Sequence, residues 1–180
     1  MRYSLRRLAL SGLGCCALSI ALPATASPSI QTAFSPEGCA LELVLGTIGS
    51  ASESIRMMGY SFTSPEVVRA LVDAHRRGVD VKIVLDEKGN RNRPSVAAMN
   101  LVADAGIPVR TNDRYAIMHD KVIIVDGQTV ETGSFNYTRA GARKNSGNVL
   151  VIREMPEIAS RYLAHWQSRW PQGTDWKPTY

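Results

Sequence analysis

The sequence predicts an α/β domain, a mixed β-sheet with helices on both of its faces. Three observations carry that expectation. Short runs rich in Val and Ile alternate with amphipathic stretches at helical spacing, as strands do with crossover helices. Ser-Pro-Glu signals at positions 35–37 and 64–66 open helices, and Gly78 closes the second. Asp126-Gly127 supplies a tight turn between two strand-like runs, so part of the sheet is antiparallel.

The elements follow in order. Residues 30–34 form a first strand, and a helix runs from the 35–37 signal to residue 45. Residues 54–61 form a strand. In the next helix Ser64 is the cap, and Val67, Val68, Leu71, Val72 and Ala74 face inward. Residues 79–85 read as a nearly continuous apolar strand interrupted by Asp80 and Lys82; 94–105 is a helix and 107–110 a strand. The run Val122–Val125 turns at Asp126-Gly127 into a returning strand at 128–132. Residues 148–152 make a further strand, and 156–170 a final amphipathic helix.

Residues 1–26 read as an export leader. Arg2, Arg6 and Arg7 precede an apolar run at 8–22, and Ala24-Thr25-Ala26 fits a cleavage site. A membrane anchor is the rival, but the run is short and contains two glycines and two serines. Arg6-Arg7 fits a twin-arginine signal poorly, and Gly12 disfavours a lipoprotein reading of Cys15 and Cys16. Cleavage after Ala26 and export, to the periplasm or outside, are expected, with no stable membrane association afterwards. Three of the 21 basic residues leave with the leader, so 18 face 16 acidic ones and the net charge falls from +5 to +2. Cys39 then remains alone, expected as a small buried residue at a helix start. Residues 27–180 suit one domain; internal repeats and linkers are absent.

The stretch 117–137 concentrates the chemistry. His119 and Lys121 are two apart before a strand run, so they share a face and Asp120 takes the other. After the hairpin, Gly133 precedes Ser134 and Asn136, again two apart. An imidazole, an ammonium, a hydroxyl and an amide suit a phosphodiester. The imidazole can attack phosphorus while the others hold its oxygens.

His119, Lys121 and Asp126, with Gly133-Ser134 and Asn136, resemble the HKD signature of the phospholipase D superfamily. The stretch SIRMMGYSFTSPEVVRALVDAHRRGVDVKIVLDE and the late LAHWQSRWPQG resemble its small bacterial periplasmic, EDTA-resistant endonucleases, and the likeness covers the chain after the leader. The resemblance implies a phospholipase D/nuclease-like fold and a non-specific endonuclease acting on DNA, with RNA also open. It implies that one His119 attacks phosphorus and that His119 of a second copy in a homodimer protonates the leaving oxygen. Lys121, Ser134 and Asn136 then hold phosphate oxygens, and Asp126 fixes the hairpin. It implies no metal and no cofactor. A lipid phosphodiesterase and a catalytically weak nucleic-acid-binding protein are the alternatives.

One departure bears on activity. Related nucleases carry a glutamate that orients the nucleophilic imidazole where this chain has Gly147; Glu131 is a possible substitute. Neither His75, at a polar helix end, nor His165, on the last helix, is expected to be catalytic, and no residue spacing suggests a metal site. Two basic stretches can track a nucleic-acid backbone by charge: Lys88, Arg91 and Arg93 in a polar loop, and Arg139, Arg143 and Lys144 after the Ser/Asn loop. Tyr115, Phe135 and Tyr137 are candidates for stacking on bases, with core packing favoured for Phe135.

Overall fold

The computed structural model describes residues 27–180. The expected leader and its cleavage site lie outside the described residues. The first half of the chain comprises β1 (Ser29–Ser35), α1 (Ala40–Gly49), β2 (Ser54–Gly59), α2 (Pro65–Arg76) and β3 (Asp80–Asp86). A 3-10 turn at Lys88–Asn90 leads to α3 (Arg93–Asp104) and β4 (Val109–Asn112). Then come β5 (Lys121–Val125), β6 (Thr129–Gly133), α4 (Arg139–Arg143), β7 (Gly147–Arg153), α5 (Pro156–Arg169) and β8 (Thr174–Asp175).

The strands form one mixed sheet in the order β1-β7-β6-β5-β2-β3-β4-β8. β2, β3 and β4 are parallel, joined by α2 and α3, and β5 pairs antiparallel with β2. The meander β5-β6-β7-β1 continues antiparallel. Alternation along each strand sends Ile55, Met57, Ile83, Ile123 and Val151 to one face, beneath α1, α2 and α3. Met58, Val84, Val122, Ile124 and Val130 go to the other, beneath α5. There Trp166 donates from its indole nitrogen to the Met57 carbonyl at 3.1 Å and stacks on Trp170. Arg56 and Arg110 lie over the Trp166 and Trp170 rings. The expected architecture is therefore observed.

Some expectations change. β1 runs through Ser35, and a Cβ at Gly38 would stand 2.6 Å from the Phe34 carbonyl oxygen. The chain bends there, so α1 begins at Ala40 rather than at the 35–37 signal. Cys39 sits at the N-cap position of that helix without a side-chain capping bond, and its free thiol is exposed rather than buried. The basic stretches are more ordered than loops: Lys88 opens a 3-10 turn, Arg93 opens α3, and Arg139 and Arg143 lie on α4. Asn92 caps α3, its side-chain oxygen accepting from Ser95 N at 3.0 Å, and Thr138 caps α4, accepting from Gly141 N at 2.8 Å. Such a cap stabilises by about 1 kcal/mol. β8 has two residues, too few for any period to be visible.

Asp126 closes the β5–β6 hairpin with φ of 52°, followed by Gly127 at 65°. Its carboxylate accepts from Ser52 N, Ser52 Oγ, Glu53 N and Ser54 N at 2.7–2.9 Å. Burial raises its pKa, but the hydrogen bonds from Ser54, Ser52 and Glu53 outweigh that and hold it below 3.8. Asp126 thus ties the hairpin to the entry of β2. An Asn at 126 tolerates the same backbone but accepts at one end only. Asp126→Asn should lower unfolding stability by about 2 kcal/mol at neutral pH. The loss should shrink as pH falls through the lowered pKa, where the wild-type carboxylate takes a proton. Urea midpoints at pH 7 and pH 3 measure both; equal midpoints at pH 7 would contradict the clamp.

Candidate active site

The parallel strands β2 and β3 end at Gly59 and Asp86, and the site lies at that end of the central strands. Gly59 pairs with Lys121, so β5 starts where β2 stops. Val122 pairs with Thr132, which places Lys121 opposite Gly133; Val149 pairs with Gly133 on the next strand. The register therefore brings the residues around His119, Ser134 and Asn148 to neighbouring strand ends. A Cβ at Gly133 would stand 2.2 Å from the Asn148 carbonyl oxygen, so only glycine permits this approach of β6 to β7.

His119 does not lie on the strand itself. β5 begins at Lys121, and residues 113–120 form an irregular segment after β4. Alternation nonetheless holds. The exposed His119 ring meets Tyr60 edge-on at 4.7 Å between centroids. Lys121 Nζ lies 5.3 Å from the same Tyr60 ring and donates to the His119 carbonyl at 3.0 Å. Asp120 points the other way, to His165 Nε2 on α5 at 3.1 Å. Lys121 is only 5% exposed. Burial lowers its pKa, and Asp120 acts in the opposite direction.

Ser134 and Asn148 are doubly joined. Ser134 Oγ donates to Asn148 Oδ1 at 2.7 Å and accepts from Asn148 N at 3.0 Å. Asn136 follows on the same loop, with Oδ1 buried and without a partner. Gly147 precedes Asn148, and a Cβ there would lie 3.5 Å from Ser134 Oγ and 3.1 Å from Ser35 Oγ. A side chain at 147 would thus enter the Ser134 neighbourhood.

Asp126 is not part of this grouping. It follows the far end of β5, roughly 16 Å from Lys121 at about 3.3 Å per residue. Its place among the catalytic residues is corrected to that of the hairpin clamp described above. Glu131 does not substitute at His119 either. It faces the α1–α3 side, 0% exposed, and Tyr137 Oη donates to its Oε2 at 2.6 Å. Tyr137 and Phe135 are buried, so neither offers a face to a base. Tyr115 is half-buried, with Arg169 over its ring and its hydroxyl on Gln172.

The six basic candidates divide. Arg91 forms two hydrogen bonds to Glu87, and Arg143 pairs with Glu66 at 3.2 Å. Lys88 donates to the Ala116 carbonyl at 3.3 Å. Arg93, Arg139 and Lys144 are exposed and form no ion pair among the described residues. No group of three or more His, Cys, Asp or Glu side chains among the described residues could hold a metal ion. Nor is any described helix long and apolar enough to cross a membrane. Sequence reasoning missed Tyr60, Asn148 and the Asp120–His165 pair. Tyr60 follows the C-terminal end of a parallel strand, where sites gather, and that position was a usable signal.

Residues 44–170 match the family model described as "Cardiolipin synthase, PLD-like domain". Among solved structures the chain is similar to Nuc of Salmonella typhimurium, a phospholipase D family member. The two are 59% identical, with a TM-score of 0.83 over 84% of this chain and 99% of that one. NucT of Helicobacter pylori shares the fold at 23% identity and a TM-score of 0.73, over 83% of this chain and 100% of that one. A phospholipase D of Rickettsia bellii is 38% identical over 140 residues, 78% of this chain and 68% of that protein. The human mitochondrial cardiolipin hydrolase is 32% identical over 163 residues, 86% of this chain and 64% of that protein.

Burial pushes the Glu131 carboxyl up to about 8, although the Tyr137 hydroxyl works the other way. Below pH 4.5 folded and unfolded chains both hold this proton. Between 4.5 and about 8 only the folded chain holds it, so stability falls as pH rises through that window. Glu131→Gln removes the titration. Its melting temperature relative to wild type should rise from pH 5 to about pH 8 and then level off, and a constant difference across that range would contradict the buried neutral acid.

Proposed function

The chain belongs to the phospholipase D-like family and is a phosphodiesterase of that superfamily, and from that premise we propose a metal-independent, sequence-nonspecific endonuclease. The observation that carries the proposal is the gathering of His119, Lys121 and the Ser134–Asn136 loop at one end of the central strands. The 59% identity to Nuc along nearly all of that chain supports the nuclease reading. The phospholipase D and cardiolipin hydrolase relatives keep a lipid phosphodiesterase as the alternative.

The chemistry runs in two steps. His119 attacks phosphorus, the bond to the leaving oxygen breaks, and the departing oxygen takes a proton from a second imidazole. That imidazole then removes a proton from water, which attacks the phosphohistidine, frees His119 and leaves a phosphomonoester. Lys121, Ser134 and Asn136 supply the charge and hydrogen bonds that the phosphoryl oxygens need in both transition states. Asn136 can turn its amide nitrogen to the site by rotation about its last torsion. Arg93, Arg139 and Lys144 draw the polyanion in without reading bases.

The second imidazole is His119 of another copy, so the active unit is a homodimer with its two-fold axis at the site. The apolar surroundings support this. Phe34, paired across from Asn148, is 61% exposed, and Ile117, two residues before His119, is 51% exposed. A second copy laid over this edge would cover both. The leader directs export, so the enzyme works in the periplasm or outside the cell.

Plasmid nicking in excess EDTA, run beside phosphatidylcholine and cardiolipin hydrolysis, tests the reading. Nicking should persist with the metals chelated and vanish in His119→Ala. Loss in EDTA with rescue by Mg²⁺ would overturn metal independence. Lipid cleavage without nicking would transfer the site to a phospholipid substrate. Folded protein that binds DNA without cleaving it would favour the catalytically weak nucleic-acid-binding alternative.

A further inference from the structure

His119 rides on residues 113–120, a segment outside the sheet ladder, and a nucleophile on such a segment needs other means of support. Two buried side chains provide it. Asp86, at the end of β3 and 1% exposed, accepts from Met118 N through Oδ2 at 2.6 Å. Its Oδ1 accepts from Gly89 N at 2.6 Å. Asn90, also 1% exposed, donates from Nδ2 to the Asp86 carbonyl at 2.7 Å and the Tyr60 carbonyl at 2.8 Å. Its Oδ1 accepts from Phe62 N at 2.9 Å.

These bonds converge on the two supports of one imidazole. Met118 is the residue before His119, and Tyr60 is the ring against which His119 rests. The turn between Asp86 and Asn90 fits closely beneath Tyr60. A Cβ at Gly89 would stand 2.5 Å from the Tyr60 carbonyl oxygen and 3.1 Å from its ring. Neither Asp86 nor Asn90 bonds to His119, Lys121, Ser134 or Asn136, and the proposed reaction uses neither. Yet every side-chain polar atom of both is committed to this junction. A buried network whose polar atoms are all bonded holds the segments it joins rigidly.

We infer that Asp86 and Asn90 are positioning residues that act together, setting the height and direction of the His119 imidazole through Met118 and Tyr60. The inference rests on the reading of His119 as nucleophile. Asp86→Asn keeps the size but presents an amide to one of two backbone donors. Asn90→Asp keeps the acceptor for Phe62 and removes the donors to Tyr60 and Asp86.

The test uses the full-length folded protein, with bis(p-nitrophenyl) phosphate as substrate and imidazole resonances as a second readout. Each variant should lose about 10²-fold in kcat with KM changed less than about threefold, the effect of a misplaced attacking group. The double variant should be no worse than about threefold below either single one, because the two form one unit. His119 resonances should broaden or shift while those of His75 stay in place. A folded Asp86→Asn with wild-type kcat and unmoved His119 resonances would overturn the inference. Loss of activity with equal disturbance of His119 and His75 would also overturn it, by showing general loosening. Should Asp86→Asn not fold, Asn90→Asp carries the same measurements. If the wild type turns over no phosphodiester, the functional reading fails, and the resonances still decide the positioning role.

Discussion

The antiparallel pairing of β5 with β2 is the contact on which the rest depends. β2 runs parallel to β3 and β4, so this pair is the seam between the crossover half and the meander half of the sheet. One register, Gly59 against Lys121, fixes which residues meet at either end. At one end Asp126 gathers the amides of Ser52, Glu53 and Ser54. At the other, Tyr60 and His119 leave the two strands side by side and their rings touch. A slip by one residue would turn Lys121 into the α5 face and break both ends together.

The polar groups beneath the reacting edge are unevenly satisfied. Asp86 and Asn90 are fully bonded, whereas Asn136 Oδ1 and Glu131 Oε1 are buried without partners. Burial keeps the Glu131 carboxyl neutral up to about 8, which removes the buried charge while Oε1 stays without a partner. Asn136, two residues after Ser134 on the same loop, leaves its buried carboxamide oxygen without a partner. Lys121 is the one ammonium buried at this edge, and it lies against a π-face rather than a carboxylate. An anion arriving there meets an ammonium that forms no ion pair among the described residues, with only the Asp120 charge acting on it.

Much of this was legible in the residues. Alternation and capping signals carried the layered fold, because apolar periodicity is imposed by the core itself. The His-x-Lys pair and the Gly-Ser-x-Asn loop were visible because their spacing fits one face of neighbouring strands. What stayed hidden was tertiary. Asp86 looks like any acidic strand end, and Asn90 like any turn residue, until Met118 and Tyr60 are brought beside them. The ion pairs of Arg91 and Arg143 were unreadable as well, and so was the burial of Tyr137 against Glu131. Asp126 was read as both motif residue and hairpin clamp, and the structure supports the clamp.

The central claim is that one site needs two copies of His119. Co-refolding wild type with an equal amount of folded His119→Ala protein, with sizing to verify random mixed dimers, measures this directly. If each site draws on both copies, only wild-type pairs cut, and activity per dimer falls to about one quarter of the all-wild-type value. Verified mixed dimers with activity near one half would contradict the shared site and return the whole reaction to a single subunit.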